Sequence, residues 1–326
     1  MAARARTLCV GIDVTWFGGS PRRRSSQHET LVSALVGEPD SFALSCVDLH
    51  TAPNPRAARP TEPSFDADGA LLLAALDEVL DDHAGRFNRL VVALDAPLEA
   101  KRRPGQPARR RAVGKGERAG SERRECEAHL QRHMSDVVRH GPARAWNPGL
   151  KIQSGSPIPA RIHALVEALR ERGCPAYRGG KPPARTVLEV FPSEAIWALG
   201  VAGHYGRHGS DHVRAYKAKQ PRTLAPAEAR KVAAAPLAGF VPVLVAGGLA
   251  KPGVDAWTRK LVAHVCKEAT RADGEVGKGK RFDDVIDSGL AFLTAVAFAT
   301  GQAHVWGDGH DGAIVGPVRL PGVPMP

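Results

Sequence analysis

Residues 7–14 read TLCVGIDV and residues 89–97 read RLVVALDAP. Both are short, continuous apolar runs rich in β-branched residues, the pattern of a strand buried on both faces. Each closes on an aspartate, Asp13 in the first and Asp95 in the second, and in the second Pro97 ends the run because it has no N–H to donate to a ladder. Two central strands of an α/β sheet are therefore predicted. Their carboxylates stand at the C-terminal ends, the edge where open α/β sheets place ligands and chemistry.

Working outward, 29–36 (ETLVSALV) and 41–49 (SFALSCVDL) are joined by Gly-Glu-Pro-Asp, a turn composition. With the first strand they predict an antiparallel meander. Residues 51–63 form a Pro-rich connection, and from Asp66 to about His83 leucines and alanines recur at helical spacing behind acidic residues that suit an N-terminal turn. Further helices are predicted from about Ser121, over 158–173 with Gly173 as its stop, and over 282–300 with Gly301 beyond it. Residues 186–191 (TVLEVF) predict a strand, after which Pro192 and Ser193 open a short helix with Ser193 as a capping candidate. The tail DGAIVGPVRLP, from Asp311, predicts a short edge strand. The pattern implies one domain over 1–326, with a core of about 7–97 and 158–301 and an insertion at about 98–157.

That insertion carries Lys101, Arg102, Arg103, Arg109, Arg110, Arg111, Lys115, Arg118, Arg123 and Arg124 among Gly and Pro. The 326 residues carry a formal net charge of +11, which favours anionic partners such as nucleic acid or phosphorylated metabolites. A GC-rich genome enriches Arg whatever the function, and the insertion lacks interleaved aromatics for base stacking. The five cysteines are scattered, with no C-x-x-C spacing, as reduced thiols of a cytoplasmic protein would be. No apolar run reaches membrane-spanning length, so no membrane partner is expected.

Two strand-end aspartates are joined by a third group, since Asp283, Asp284 and Asp287 open the 282–300 helix and Asp284 and Asp287 share a face. Several carboxylates within reach of one another cannot all carry charge without a cation between them, and hard divalent ions such as Mg²⁺ or Mn²⁺ take oxygen ligands. The alternative is that Asp13 and Asp95 accept backbone hydrogen bonds in turns while the helix acids complement a macrodipole. Glu189 lies among apolar neighbours, where strand alternation puts Val187, Glu189 and Phe191 on one face. It is either a ligand or Arg-binding group, or an ion-pair partner of Arg123 or Arg161. Arg123, Arg124 and Arg161 are candidate phosphate-binding groups, Arg being suited to bidentate contact, and a solvated helix face is the plainer reading of Arg123 and Arg124.

The set Gly11-Ile12-Asp13, Ala93-Leu94-Asp95-Ala96-Pro97, Arg123-Arg124-Glu125-Cys126-Glu127, Glu189-Val190-Phe191-Pro192-Ser193-Glu194 and Asp284-Val285-Ile286-Asp287-Ser288 resembles domain-of-unknown-function family 429. Members are regarded as predicted ribonuclease H-like nucleases. The resemblance runs from Gly11 to Asp311-Gly312-Ala313-Ile314-Val315, and each motif is short, so their order carries the match. It implies an α/β fold with a ribonuclease H-like mixed five-stranded sheet flanked by helices and extra C-terminal elements. It also implies hydrolysis of DNA or RNA phosphodiesters with Mg²⁺ or Mn²⁺ as cofactor. Carried over by position, Asp13, Asp95 and Asp287 look like the metal-binding carboxylates, Asp13 bridging two ions, with Asp284 or Glu189 completing the catalytic set. The long basic insertion and Ser288, where a smaller Ala is the family expectation, are departures that remove no carboxylate.

Two other readings stay open. One is a nucleic-acid-binding protein that keeps the fold without turnover. The other is an actin-like or sugar-kinase-type phosphotransferase, which needs Gly-rich phosphate loops and a second similar half that the chain does not display. GKGER and GKGKR lack P-loop spacing. His204, His208 and His212 recur every four residues, but Gly206 and Gly209 interrupt any helix and weaken a zinc reading. His304 and His310, near Asp308 and Asp311, read as turn residues.

Overall fold

The computed structural model describes residues 6–14, 27–49, 70–98, 126, 129–130, 158–205, 226–271, 278–307, 309 and 312–319. The Pro-rich connection and nearly all of the basic insertion lie outside them.

The chain begins with β1 (Thr7–Asp13), β2 (Gln27–Leu35) and β3 (Ala43–Leu49), the expected antiparallel meander, with a 3-10 turn at Pro39–Ser41 between the last two. The Ser41 hydroxyl donates to Glu38 O at 2.6 Å and accepts the Leu35 N–H at 2.7 Å, which closes that turn. Helix α1 (Ala70–Asp82) leads to β4 (Arg89–Asp95), and α2 (Ile158–Glu171) leads to β5 (Arg185–Val190). Then come α3 (Pro192–Val201), α4 (Pro226–Ala238), α5 (Phe240–Ala246), α6 (Lys251–Arg271), α7 (Lys278–Ala299), β6 (His304–Trp306) and β7 (Ile314–Gly316). Helices α4 to α6 have no counterpart in the sequence reading. Gly173 and Gly301 take positive φ, +76° and +75°, just past α2 and α7, as their stop signals imply.

One seven-stranded sheet runs in the order β3-β2-β1-β4-β5-β7-β6. Strands β1, β4, β5 and β7 are parallel, while β2 and β6 run antiparallel to their neighbours. The sheet is therefore mixed, as expected, but two strands wider than the five predicted. The tail strand β7 is not an edge: it is inserted between β5 and β6, and β6 takes the edge.

The two faces of the sheet are distinguished by strand alternation. Leu8, Val10 and Ile12 of β1 and Leu90, Val92 and Leu94 of β4 pack with Leu72 and Leu76 of α1 and Leu165 and Leu169 of α2. Cys9, Val91 and Ala93 face the opposite layer, built from α3 to α7. Burial pushes the Cys9 thiol far above its ordinary range, which leaves it an inert core group.

Helix α7 lies directly on β1. A Cβ on Gly11 would stand 2.1 Å from Phe292 N and 2.4 Å from Ser288 O, so only a residue without a side chain lets the two backbones meet. Ser288 is fully buried at the same contact and its hydroxyl donates to Val285 O at 3.0 Å, so a small side chain is what the site admits there. From the other side of β1, the Thr30 hydroxyl of β2 donates to Asp284 O at 2.9 Å. Helix α7 starts at Lys278 rather than Phe282, which puts Asp284 and Asp287 beyond its first turn. Their placement therefore owes little to the helix macrodipole, whose effect fades within one turn. Helix α3 likewise departs from expectation: Pro192 is its first residue, Phe191 the cap position, and Ser193 makes no capping bond.

Two predictions follow from these contacts. Gly11→Ala is expected to cost about 3 kcal/mol or more, because backbone and not a mobile side chain blocks the new methyl, and thermal denaturation measures the loss. On the other face, Arg172 Nε and Nη2 bond Asp77 Oδ1 and Oδ2 at 2.9 and 2.8 Å, tying the end of α2 to α1. That hydrogen-bonded guanidinium holds the Asp77 carboxyl below the usual carboxylate range. A depressed folded-state value gives stability present above the unfolded carboxylate pKa and lost as pH falls through the folded one. Asp77→Asn should cost about 0.5 kcal/mol at neutral pH, small because the pair is partly exposed, and should make the acid limb of the stability curve shallower.

Candidate metal centre

Strands β1 and β4 are paired in register so that Asp13 lies directly opposite Asp95. Both are the last residues of their strands, and both fall on the α7 side of the sheet, in phase with Cys9 and with Val91 and Ala93. Helix α7, pressed on Gly11, delivers Asp287 to the same edge. One carboxylate oxygen from each of Asp13, Asp95 and Asp287 lies within 4.8 Å of the other two. Asp13 and Asp287 are buried and Asp95 is half-buried.

The donors suit a hard divalent cation. Mg²⁺ and Ca²⁺ bind oxygen at about 2.0–2.6 Å, so oxygens around one ion are separated by no more than about 4–5 Å. Three carboxylate oxygens within 4.8 Å match that span, and all three groups are oxygen donors with no sulfur or imidazole among them.

Asp284 and Glu189 stand outside this three-carboxylate set. Asp284 is buried one turn before Asp287, and its main-chain carbonyl takes the Thr30 hydroxyl. Glu189 is buried in β5 opposite Leu94, on the α1 and α2 side, and its Oε2 accepts the Leu98 N–H at 3.0 Å. Arg123 and Arg124 lie outside the described residues; Arg161 is in α2, but its side chain is not described. His204 sits in the turn past the end of α3, and His208 and His212 lie outside the described residues, as do Asp308, His310 and Asp311.

His304 is no turn residue. It opens β6 and is buried, its Nε2 2.9 Å from Oε1 of Glu194 in α3; the same oxygen accepts the Trp306 indole N–H at 3.1 Å. The His304 and Trp306 rings meet edge to face at 4.6 Å. A Cβ on Gly316 would fall 2.3 Å from His304 Cε1 and 2.5 Å from Glu194 Oε1, so the glycine lets β7 close over the pair. Glu194 is the acid of the Pro192-Ser193-Glu194 motif, but nothing local to that motif reveals a partner that arrives with β6. The group binds the added strands to α3 and supplies no side chain to the carboxylate set.

No protein-family model, curated protein or solved structure matches the chain.

The carboxylate geometry sets an expectation for metal-free and metal-loaded protein. In EDTA, Asp95→Asn should keep or raise the melting temperature, because it removes one of three crowded carboxylates that cannot all carry charge without a cation. Excess Mn²⁺ should stabilise the native chain, by about 2.7 kcal/mol when free metal is 100 times its Kd, and should leave Asp13→Asn nearly unmoved. Scanning fluorimetry with and without metal measures both.

Proposed function

We propose that the chain is a metal-dependent nuclease with a ribonuclease H-like core, hydrolysing phosphodiester bonds of DNA or RNA. The observation that carries the reading is the convergence of Asp13, Asp95 and Asp287 within 4.8 Å at the C-terminal edge of the parallel strands. Support for the fold comes from the chain order of strand with Asp13, antiparallel meander, helix, strand with Asp95 and late helix with Asp287, arranged as β3-β2-β1-β4-β5 with two strands added beyond. Both features agree with the resemblance to domain-of-unknown-function family 429.

In this reading Asp13, Asp95 and Asp287 hold Mg²⁺ or Mn²⁺, which when bound activates water and stabilises the leaving oxygen of the phosphodiester. Asp13 and Asp287 keep two ligands fixed by burial, and Asp95 is the half-buried third. The net charge of +11 favours such a polyanion, and salt-sensitive binding is expected with it. The scattered cysteines suit a cytoplasmic setting.

Purified protein incubated with labelled single- and double-stranded DNA and RNA in Mn²⁺, Mg²⁺ or EDTA tests the reading. Cleavage should require metal and fall more than about 100-fold in Asp13→Asn and in Asp287→Asn. Intact substrate with salt-sensitive binding retained in both variants would replace the nuclease with a non-catalytic nucleic-acid-binding protein.

A further inference from the structure

The chain leaves β4 at Asp95 and runs through Ala96 and Pro97 to Leu98. Asp95 is paired with Asp13 in the β1–β4 ladder, but Pro97 beyond it cannot donate a backbone hydrogen bond, so the N–H of Leu98 is the next that can anchor the exit from the strand. One residue of β5 reaches both flanks of Asp95. Glu189 pairs with Leu94 in the β4–β5 ladder, immediately before it, and the Glu189 Oε2 accepts the N–H of Leu98, three residues after it, at 3.0 Å.

The face of the sheet separates this role from ligation. Leu94 and Glu189 are cross-strand partners and so share a face, and Leu94 packs among the residues of α1 and α2. Asp95, the next residue, alternates to the α7 face with Asp13 and Asp287. Glu189 is 5% exposed and Leu98 is 6% exposed, so the bond between them is made in a dry environment, where a carboxylate acceptor is strong and an unmade N–H bond is expensive.

Resting on the metal reading of the aspartates, we propose that Glu189 is a positioning residue for Asp95: it braces the exit of β4 from the far face of the sheet and holds the Asp95 carboxylate against the repulsion of its neighbours, without ligating the metal itself. A site pre-shaped this way binds metal without first having to order its third ligand. Loss of the brace acts through Asp95, so it weakens metal binding by loosening a ligand and not by removing one.

Two substitutions separate brace from ligand. Glu189→Gln keeps an acceptor oxygen for Leu98 and should change Mn²⁺ affinity, read by electron paramagnetic resonance, by less than about 10-fold; Glu189→Leu removes the acceptor and should weaken it about 10–100-fold. In metal-free protein, hydrogen exchange at the Leu98 amide should quicken in Glu189→Leu and stay near the native rate in Glu189→Gln and in Asp95→Asn. Affinity in Glu189→Gln that falls as far as in Asp95→Asn would make Glu189 a ligand and overturn the proposal, and that comparison decides alone if Glu189→Leu does not fold. Unchanged Leu98 exchange in a folded Glu189→Leu would overturn the brace itself. A native chain that binds no Mn²⁺ would instead remove the metal reading and, with it, the purpose assigned to the brace.

Discussion

The contact of α7 with β1 at Gly11 governs the geometry of everything at the sheet edge. Two backbones meet there with no side chain between them, Phe292 N and Ser288 O occupying the space where any other residue at position 11 would carry its Cβ. Such a contact fixes the distance of the helix from the sheet, because backbone on both sides leaves no side chain that could yield. Asp287 precedes Ser288, and Asp13 lies two residues beyond Gly11 on the same face. The carboxylates are therefore brought together by packing, and the Thr30 hydroxyl on Asp284 O holds the helix from the flank.

Assembling like charges is unfavourable, and the surrounding structure supplies the constraint that the charges oppose. The helix sits in the larger apolar layer with Trp257, Phe240 and Phe292, so α7 cannot retreat without exposing that layer. Strand β4 presents Asp95, the half-buried member of the group, and on the opposite face Glu189 accepts the Leu98 N–H just beyond it. The two layers thus contribute differently: the α7 side carries the acidic groups, and the α1 and α2 side steadies the strand that presents one of them.

The C-terminal strands add a second arrangement with its own logic. Glu194, His304 and Trp306 are all but fully buried; the carboxylate accepts the Trp306 indole N–H, and the His304 imidazole lies 2.9 Å from the same oxygen. Burying an acid is tolerable when it keeps a donor, and here the Trp306 indole of β6 donates to Oε1, so β6 cannot be detached without stranding Glu194. This is a physical account of why the sheet extends past β5 by two short strands that are too brief to be stable alone.

Much of this was legible along the chain. TLCVGIDV and RLVVALDAP declare buried strands because continuous apolar runs are intolerable anywhere but in the interior, and the aspartate closing each run marks its C-terminal end. The meander, the helices expected from Asp66 to about His83, over 158–173 and over 282–300, and the strand holding Glu189 follow from local periodicity and from Gly and Pro stops. Local pattern does not carry the direction of a long-range approach, however. That Asp287 joins Asp13 and Asp95 while Asp284, three residues away, does not, depends on the rotation of α7 set at Gly11. That Glu189 reaches Leu98 depends on the parallel register of β4 and β5, and that His304 is a buried partner of Glu194 depends on β7 slipping between β5 and β6. The sequence by itself determined the meander, the strands ending in Asp13 and Asp95, the strand of Glu189, several of the helices and which residues carry charge; only the tertiary structure decided which charges meet, because a close backbone contact and a strand register are properties of two segments at once and are written in neither alone.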